Sequence, residues 1–107
     1  MRPISRHLLI HTVTYKPQIQ EDAWGHTYGK PVVVKRVRIE PKDNVVQGLL
    51  DKQTNYRYRL YWDKVLSTPC EFSLEGKVIF EGQEMTIVEI RKLYDNVGLH
   101  HLEIHLL

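Results

Sequence analysis

The plainest alternation of apolar and polar positions runs from Asn55 to Asp63. Tyr56, Tyr58, Leu60 and Trp62 share one parity, and Arg57, Arg59 and Tyr61 share the other. A period of two is the strand repeat, so this stretch sets an aromatic and aliphatic face, with Trp62 as core anchor, against a basic one. A second β-rich region spans Gly76 to Arg91. Val78 and Phe80 alternate with Lys77, Ile79 and Glu81; beyond Gly82-Gln83, Met85, Ile87 and Glu89 alternate with Thr86, Val88 and Ile90. Two such runs parted by a short Gly-containing gap predict a hairpin. Gly82 supplies the positive φ of a tight connection, and Glu81, Gln83 and Glu84 keep its tip in water.

The remaining strands are read the same way. His7 to Tyr15 is rich in β-branched and aromatic residues and follows Pro3, which cannot sit inside a ladder. Leu9, Val13 and Tyr15 fall on one face with His7 and His11, and Leu8, Ile10, Thr12 and Thr14 on the other; the pattern does not choose between them. In Val32 to Glu40, Val33, Val37 and Ile39 are expected inside and Arg36, Arg38 and Glu40 outside, with Pro41 closing the run. Asp63 is placed to cap a single turn through Ser67 that Pro69 ends, and Lys92 to Gly98 reads as a connection. Leu99 to Leu107 closes the chain, with Leu102, Ile104 and Leu106 opposite His101, Glu103 and His105. The expected fold is all-β: one domain over residues 1–107, a small antiparallel barrel or sandwich of about six strands.

Two stretches interrupt this pattern. Residues 16–31, KPQIQEDAWGHTYGKP, and residues 41–55, PKDNVVQGLLDKQTN, are rich in Pro, Gly and polar residues and are expected as long, mobile loops. The first carries Trp24, His26 and Tyr28, either a cap on the barrel or a set of partner contacts. The second carries Val45, Val46, Leu49 and Leu50, which a solvated loop does not need; Gly48 weakens a short helix there.

Composition narrows the function only slightly. The chain has 107 residues, 26% charged and 42% hydrophobic, with a formal net charge of +2. That is an ordinary globular balance, too weakly basic to announce a nucleic-acid binder. The single cysteine, Cys70, cannot form an internal disulfide. No apolar run is long enough to span a membrane, and MRPISRH is not followed by the apolar stretch of a secretory signal.

Candidate chemistry is sparse. His7 and His11, and His101 and His105, stand four apart. That spacing makes a metal pair on a helix, but on a strand it separates the rings by roughly 13 Å. Cys70 lies in no catalytic signature, and neither paired carboxylates nor a glycine-rich phosphate loop is present. No catalytic residue, metal ligand or cofactor is expected. Tyr56-Arg57-Tyr58-Arg59 interleaves aromatic and basic residues, but alternation sends them to opposite faces, which leaves Arg57 and Arg59 as an alternative nucleic-acid face.

Taken in order, RPISRHLLIHTVTY, EDAWG, VRIEP, LYWDKVLSTP, GKVIFEGQEMTIVEI and LHHLEIHLL resemble minor capsid proteins of tailed phages of Gram-positive bacteria, of the head-completion or head–tail stopper type. The resemblance implies a β-barrel that assembles as a ring at the head–tail interface of the virion, after folding in the host cytoplasm. The free protein would be a monomer. Its partners would be a portal or adaptor ring, a tail-completion or tail-tube protein, further copies of itself, and packaged DNA by proximity. A loop would project into the channel. Residues 41–55 are the candidate, with Lys42, Asp43, Asn44, Val45, Val46, Gln47, Leu49, Leu50 and Lys52 as channel or assembly residues, and residues 16–31 are the second choice. A stand-alone nucleic-acid-binding barrel and a tail-completion protein are the alternatives.

Overall fold

The computed structural model describes residues 5–22, 25–42 and 56–107, without the side chains of 19–27. Eight strands follow in order: β1 (His11–Lys16), β2 (Gln18–Asp22), β3 (Gly25–Tyr28), β4 (Val32–Pro41), β5 (Tyr58–Asp63), β6 (Lys77–Phe80), β7 (Gln83–Tyr94) and β8 (Leu99–Leu106). Six of them close a barrel in the order β1-β4-β5-β8-β7-β6, and β2 and β3 form a separate two-stranded ribbon. Every pairing is antiparallel, and β6 returns to β1 through Thr14–Ile79, Tyr15–Val78 and Lys16–Lys77 to seal the wall. Closure removes most of the open edge that a flat sheet of this size would present, leaving the far half of β7, beyond its pairing with β6, without a described strand on one side. The fold is thus all-β as expected, and of the barrel and sandwich it is the barrel, with no helix among the described residues.

Inward positions of each barrel strand fill the interior. Val13, Val34, Val37, Leu60, Val78, Met85, Ile87, Ile104 and Leu106 are almost entirely shielded from water. Each such side chain contributes about 1.5–3 kcal/mol by leaving water, before chain entropy is counted. Trp62 joins them as anticipated and donates its indole N–H to the Thr68 carbonyl at 2.8 Å, so its one polar atom stays paired. Tyr15 is buried under Phe72, with ring centroids 4.9 Å apart, and its hydroxyl accepts the Ser73 N–H at 2.9 Å. These contacts hold the segment between β5 and β6 across the barrel. Gly76 completes that seam: a Cβ there would lie 2.7 Å from Tyr15 Cε1, too close for any side chain.

The β6–β7 hairpin forms as expected. Phe80 pairs with Gln83, so the turn residues are Glu81 and Gly82, at φ 50° and 79°. Two positive φ values define the turn whose twist matches the flanking strands. Asp63 does act as a cap, its Oδ2 accepting the N–H groups of Val65 and Leu66 at 2.9 Å each.

Several expectations need correction. Residues 16–31 hold the β2–β3 ribbon, whose backbone pairs Gln18 with Tyr28 and Asp22 with Gly25. The ribbon is a sheet of its own, separate from the barrel, and its Pro- and Gly-rich polar sequence carries no clear period of two. The first strand begins at His11, since Ser5 to Leu9 turns, with the Leu8 N–H donating to the Ser5 carbonyl at 2.9 Å. Its face is settled: Leu9, Val13 and Tyr15 are buried while Leu8 and Ile10 are exposed. In β4, Val34 rather than Val33 points inward. Val37 faces His11 and Lys35 faces Thr12, so Arg36, at φ 59°, is an extra residue in a bulge that reverses parity. A second irregularity lies between Ile87 and Glu89, after which Ile90, not Glu89, packs against the core. Strand β7 also runs on to Tyr94, into the first three residues of the expected connection, because β8 pairs with it up to Leu99.

Candidate functional site

Strand registers place two rows of charged side chains across the outer wall of β4, β5, β8 and β7. One row reads Glu40, Arg59, His105, Glu89; the next reads Arg38, Tyr61, Glu103, Arg91. Opposite charges meet along and between the rows. Arg38 Nε lies 3.3 Å from Glu40 Oε2, Arg59 Nη2 3.7 Å from Glu40 Oε1, and Arg91 Nη1 3.8 Å from Glu103 Oε2. Exposed pairs of this kind contribute less than about 1 kcal/mol each, so their effect is mainly to make this wall polar and charge-balanced.

His105 is the exception, because it is only 5% exposed. Its Nε2 lies 2.7 Å from Glu103 Oε2, and its Nδ1 lies 2.8 Å from Glu89 Oε1. The Nδ1 contact is close but not aligned as a hydrogen bond, so Glu103 is the bonded partner and Glu89 a charge neighbour. Tyr56 covers the imidazole, stacked at 4.0 Å and 13°, and the Lys42 ammonium sits 4.7 Å from the Tyr56 ring centre. Lys42 and Tyr56 are the residues on either side of 43–55. The Lys42 N–H also donates to the Arg57 carbonyl at 2.8 Å, and the Arg57 N–H to the Leu106 carbonyl at 2.7 Å. Both ends of the segment are therefore fastened to the barrel wall at its Pro41–Tyr58 end.

The expected site residues distribute as follows. Of the channel-loop set, Lys42 is in this clamp; Asp43, Asn44, Val45, Val46, Gln47, Leu49, Leu50 and Lys52 lie outside the described residues. Trp24 also lies outside them, His26 is in β3 opposite Glu21, and Tyr28 is half-buried at the end of that strand. Arg57 is exposed, but Arg59 is half-buried and committed to Glu40, which dilutes the basic face. Sequence reasoning missed the Lys42–Tyr56–His105 stack with Glu89 and Glu103. The same-face pair Glu103 and His105 was its visible part; the rest needed the strand registers.

The other histidines are engaged locally. His11 Nδ1 accepts the Ile39 N–H at 3.1 Å, and its ring meets Phe80 edge-on at 5.1 Å. Burial, then the Arg38 charge, lowers its pKa below the usual 6.5, against a smaller opposing pull from Glu81. His101 is lowered by burial and then by His100, whose Nδ1 lies 2.7 Å from its own. Among the described residues, no three His, Cys, Asp or Glu side chains gather as metal ligands. The Cys70 thiol is half-buried and pushed up to about 11 by burial and then Glu71, which leaves little thiolate at neutral pH.

Several concavities lie among the described residues. A shallow one of about 370 Å³ lies among Leu8, Arg38, Glu40, Tyr61 and His101. A larger cleft of about 520 Å³ opens at the barrel end away from the Pro41–Tyr58 pair, between the 70–72 segment and β7, with Trp62 and Leu102 also in its lining.

A family model described as Minor capsid protein matches residues 5–106, a span that takes in all six barrel strands. No curated protein matches the chain, and no solved structure does.

Proposed function

The chain belongs to the minor capsid protein family and so has a structural role in the phage particle; from that premise we propose that it is a head–tail connector protein of the head-completion or stopper type. In this reading copies form a ring below the portal or its adaptor ring. The ring helps retain packaged DNA and receives the tail-completion or tail-tube protein. Residues 41–55 serve as the channel and assembly loop, and the Trp24, His26 and Tyr28 stretch meets a neighbouring protein.

The observation that carries this reading is the family match across the whole barrel. The closed barrel and the clamp of Lys42 and Tyr56 on His105 support it, since a connector needs a rigid body with an emergent segment rooted at a defined point. The balanced charge of the outer wall also suits a lumen that DNA must pass without being held. Electron microscopy of particles made without this protein tests the reading. The expected result is DNA-filled or leaking heads beside separate, intact tails; normally joined virions would refute it.

A further inference from the structure

The barrel end away from the Pro41–Tyr58 pair carries a mostly apolar cleft beside an unpaired strand edge. We propose that this cleft receives residues 43–55 of a second copy of the chain, joining copies head to tail. The inference rests on the ring reading above and names the contact that would build the ring.

Three observations point there. The cleft of about 520 Å³ is lined by Trp62, Phe72, Ile90, Leu99 and Leu102 around the half-buried Cys70, with Glu71 and Lys92 also in its lining. Beside it, β7 pairs with β6 only through Thr86, and the Glu75–Gly76 backbone continues that seam only to Ile87. From Val88 to Tyr94, β7 has β8 on one side and no described strand on the other. An open edge beside an apolar cleft is the arrangement that takes up an extended segment, through its backbone groups and its side chains together. The tip beyond the cleft is apolar too, with Tyr94 62% and Val97 89% exposed.

The occupant follows from the chain itself. Residues 43–55 contain Val45, Val46, Leu49 and Leu50, four apolar side chains within six positions of an otherwise polar stretch. They leave the barrel at the Pro41–Tyr58 end. The cleft lies at the Trp62–Leu102 pair, four residues along the wall from the Tyr58–Leu106 pair, about 13 Å away. The direct path between them within one copy crosses the charged rows of Arg59, Tyr61, Glu103 and Arg91, which offer an apolar segment nothing. A neighbour's segment meets no such barrier. Two different surfaces joined in this way make a head-to-tail contact, the kind that closes into rings.

Cys70, the only cysteine, reports on the cleft. Its alkylation rate is measured in the full chain over a range of protein concentrations, and again in a variant carrying Val45→Ser, Val46→Ser, Leu49→Ser and Leu50→Ser. The expected result is a roughly fivefold slowing with concentration in the native chain, the fall that four-fifths occupancy gives, and a flat rate in the variant. A second experiment mixes native chain, reactive only at Cys70, with a chain carrying Leu49→Cys and Cys70→Ser; a short bismaleimide should yield crosslinked dimers well above those of either chain alone. A concentration-independent Cys70 rate in the native chain, equal protection in the loop variant, or no excess of mixed dimers overturns the proposal. Sedimentation of the same samples separates the two readings: undiminished self-association of the loop variant overturns the docking and leaves the ring standing.

Discussion

Ser67→Ala tests whether the β4 bulge is held from outside the strand. The Ser67 side chain is 4% exposed and stands between two backbone groups. Its hydroxyl donates to the Arg36 carbonyl and accepts the Asp63 N–H at 2.8 Å. Arg36 is the residue at φ 59° in the bulge, and a non-glycine residue there costs roughly 1–2 kcal/mol. The next residue reinforces the hold, because the Lys35 N–H donates to Thr68 Oγ1 at 2.9 Å and the Thr68 N–H returns to the Lys35 carbonyl at 3.1 Å. Alanine removes one oxygen, creates almost no cavity, and strips a partner from two groups at once. At about 1–2 kcal/mol for each such group, the substitution should destabilise the protein by about 2–4 kcal/mol. With a urea m-value of about 1.5 kcal/mol/M, the unfolding midpoint should fall by roughly 1.3–2.7 M. A shift below about 0.5 kcal/mol would refute the reasoning, since water or a relaxed backbone would then be replacing the hydroxyl at no cost.

Three further outcomes are expected. Gly82→Ala places a Cβ at φ 79°, and although no atom lies within 4 Å to obstruct it, the turn should lose about 1 kcal/mol in chemical denaturation; Gly82→Asn, which tolerates that backbone, should lose much less. His11 and His101 both have pKa values lowered by burial, so the unfolded chain binds more protons. Their contribution to stability is then fully present above about pH 6.5 and is lost as the pH falls through that value toward the folded pKa; thermal melts should show the decline, and His11→Asn, which keeps an acceptor for the Ile39 N–H, should shrink it. If residues 41–55 are the long loop that their sequence leads one to expect, limited trypsin digestion should cut first at Lys52, and early cleavage within β4 or β5 instead would overturn that expectation.

What the sequence determined by itself is what is local. The β6–β7 hairpin needs only a glycine at positive φ between two β-rich runs, although its turn falls at Glu81–Gly82 rather than Gly82–Gln83, and the alternations at Leu60–Trp62 and Leu102–Leu106 need only a strand with one apolar face. Those signals sufficed for a small all-β antiparallel fold, barrel or sandwich, and for most of its core. Tertiary structure decided wherever parity is set by a distant partner. Val34 displaces Val33 from the interior because Ser67 and Thr68, some thirty residues on, hold an extra residue at Arg36. Glu89 turns outward to His105 because β7 shifts register against β8 after Ile87. Barrel closure joins β1 to β6, and the clamp joins Lys42 and Tyr56 to His105, across separations that no periodicity spans. A strand's repeat of two records which residues share a face; a single inserted residue exchanges those faces, and only the strand alongside shows where it sits.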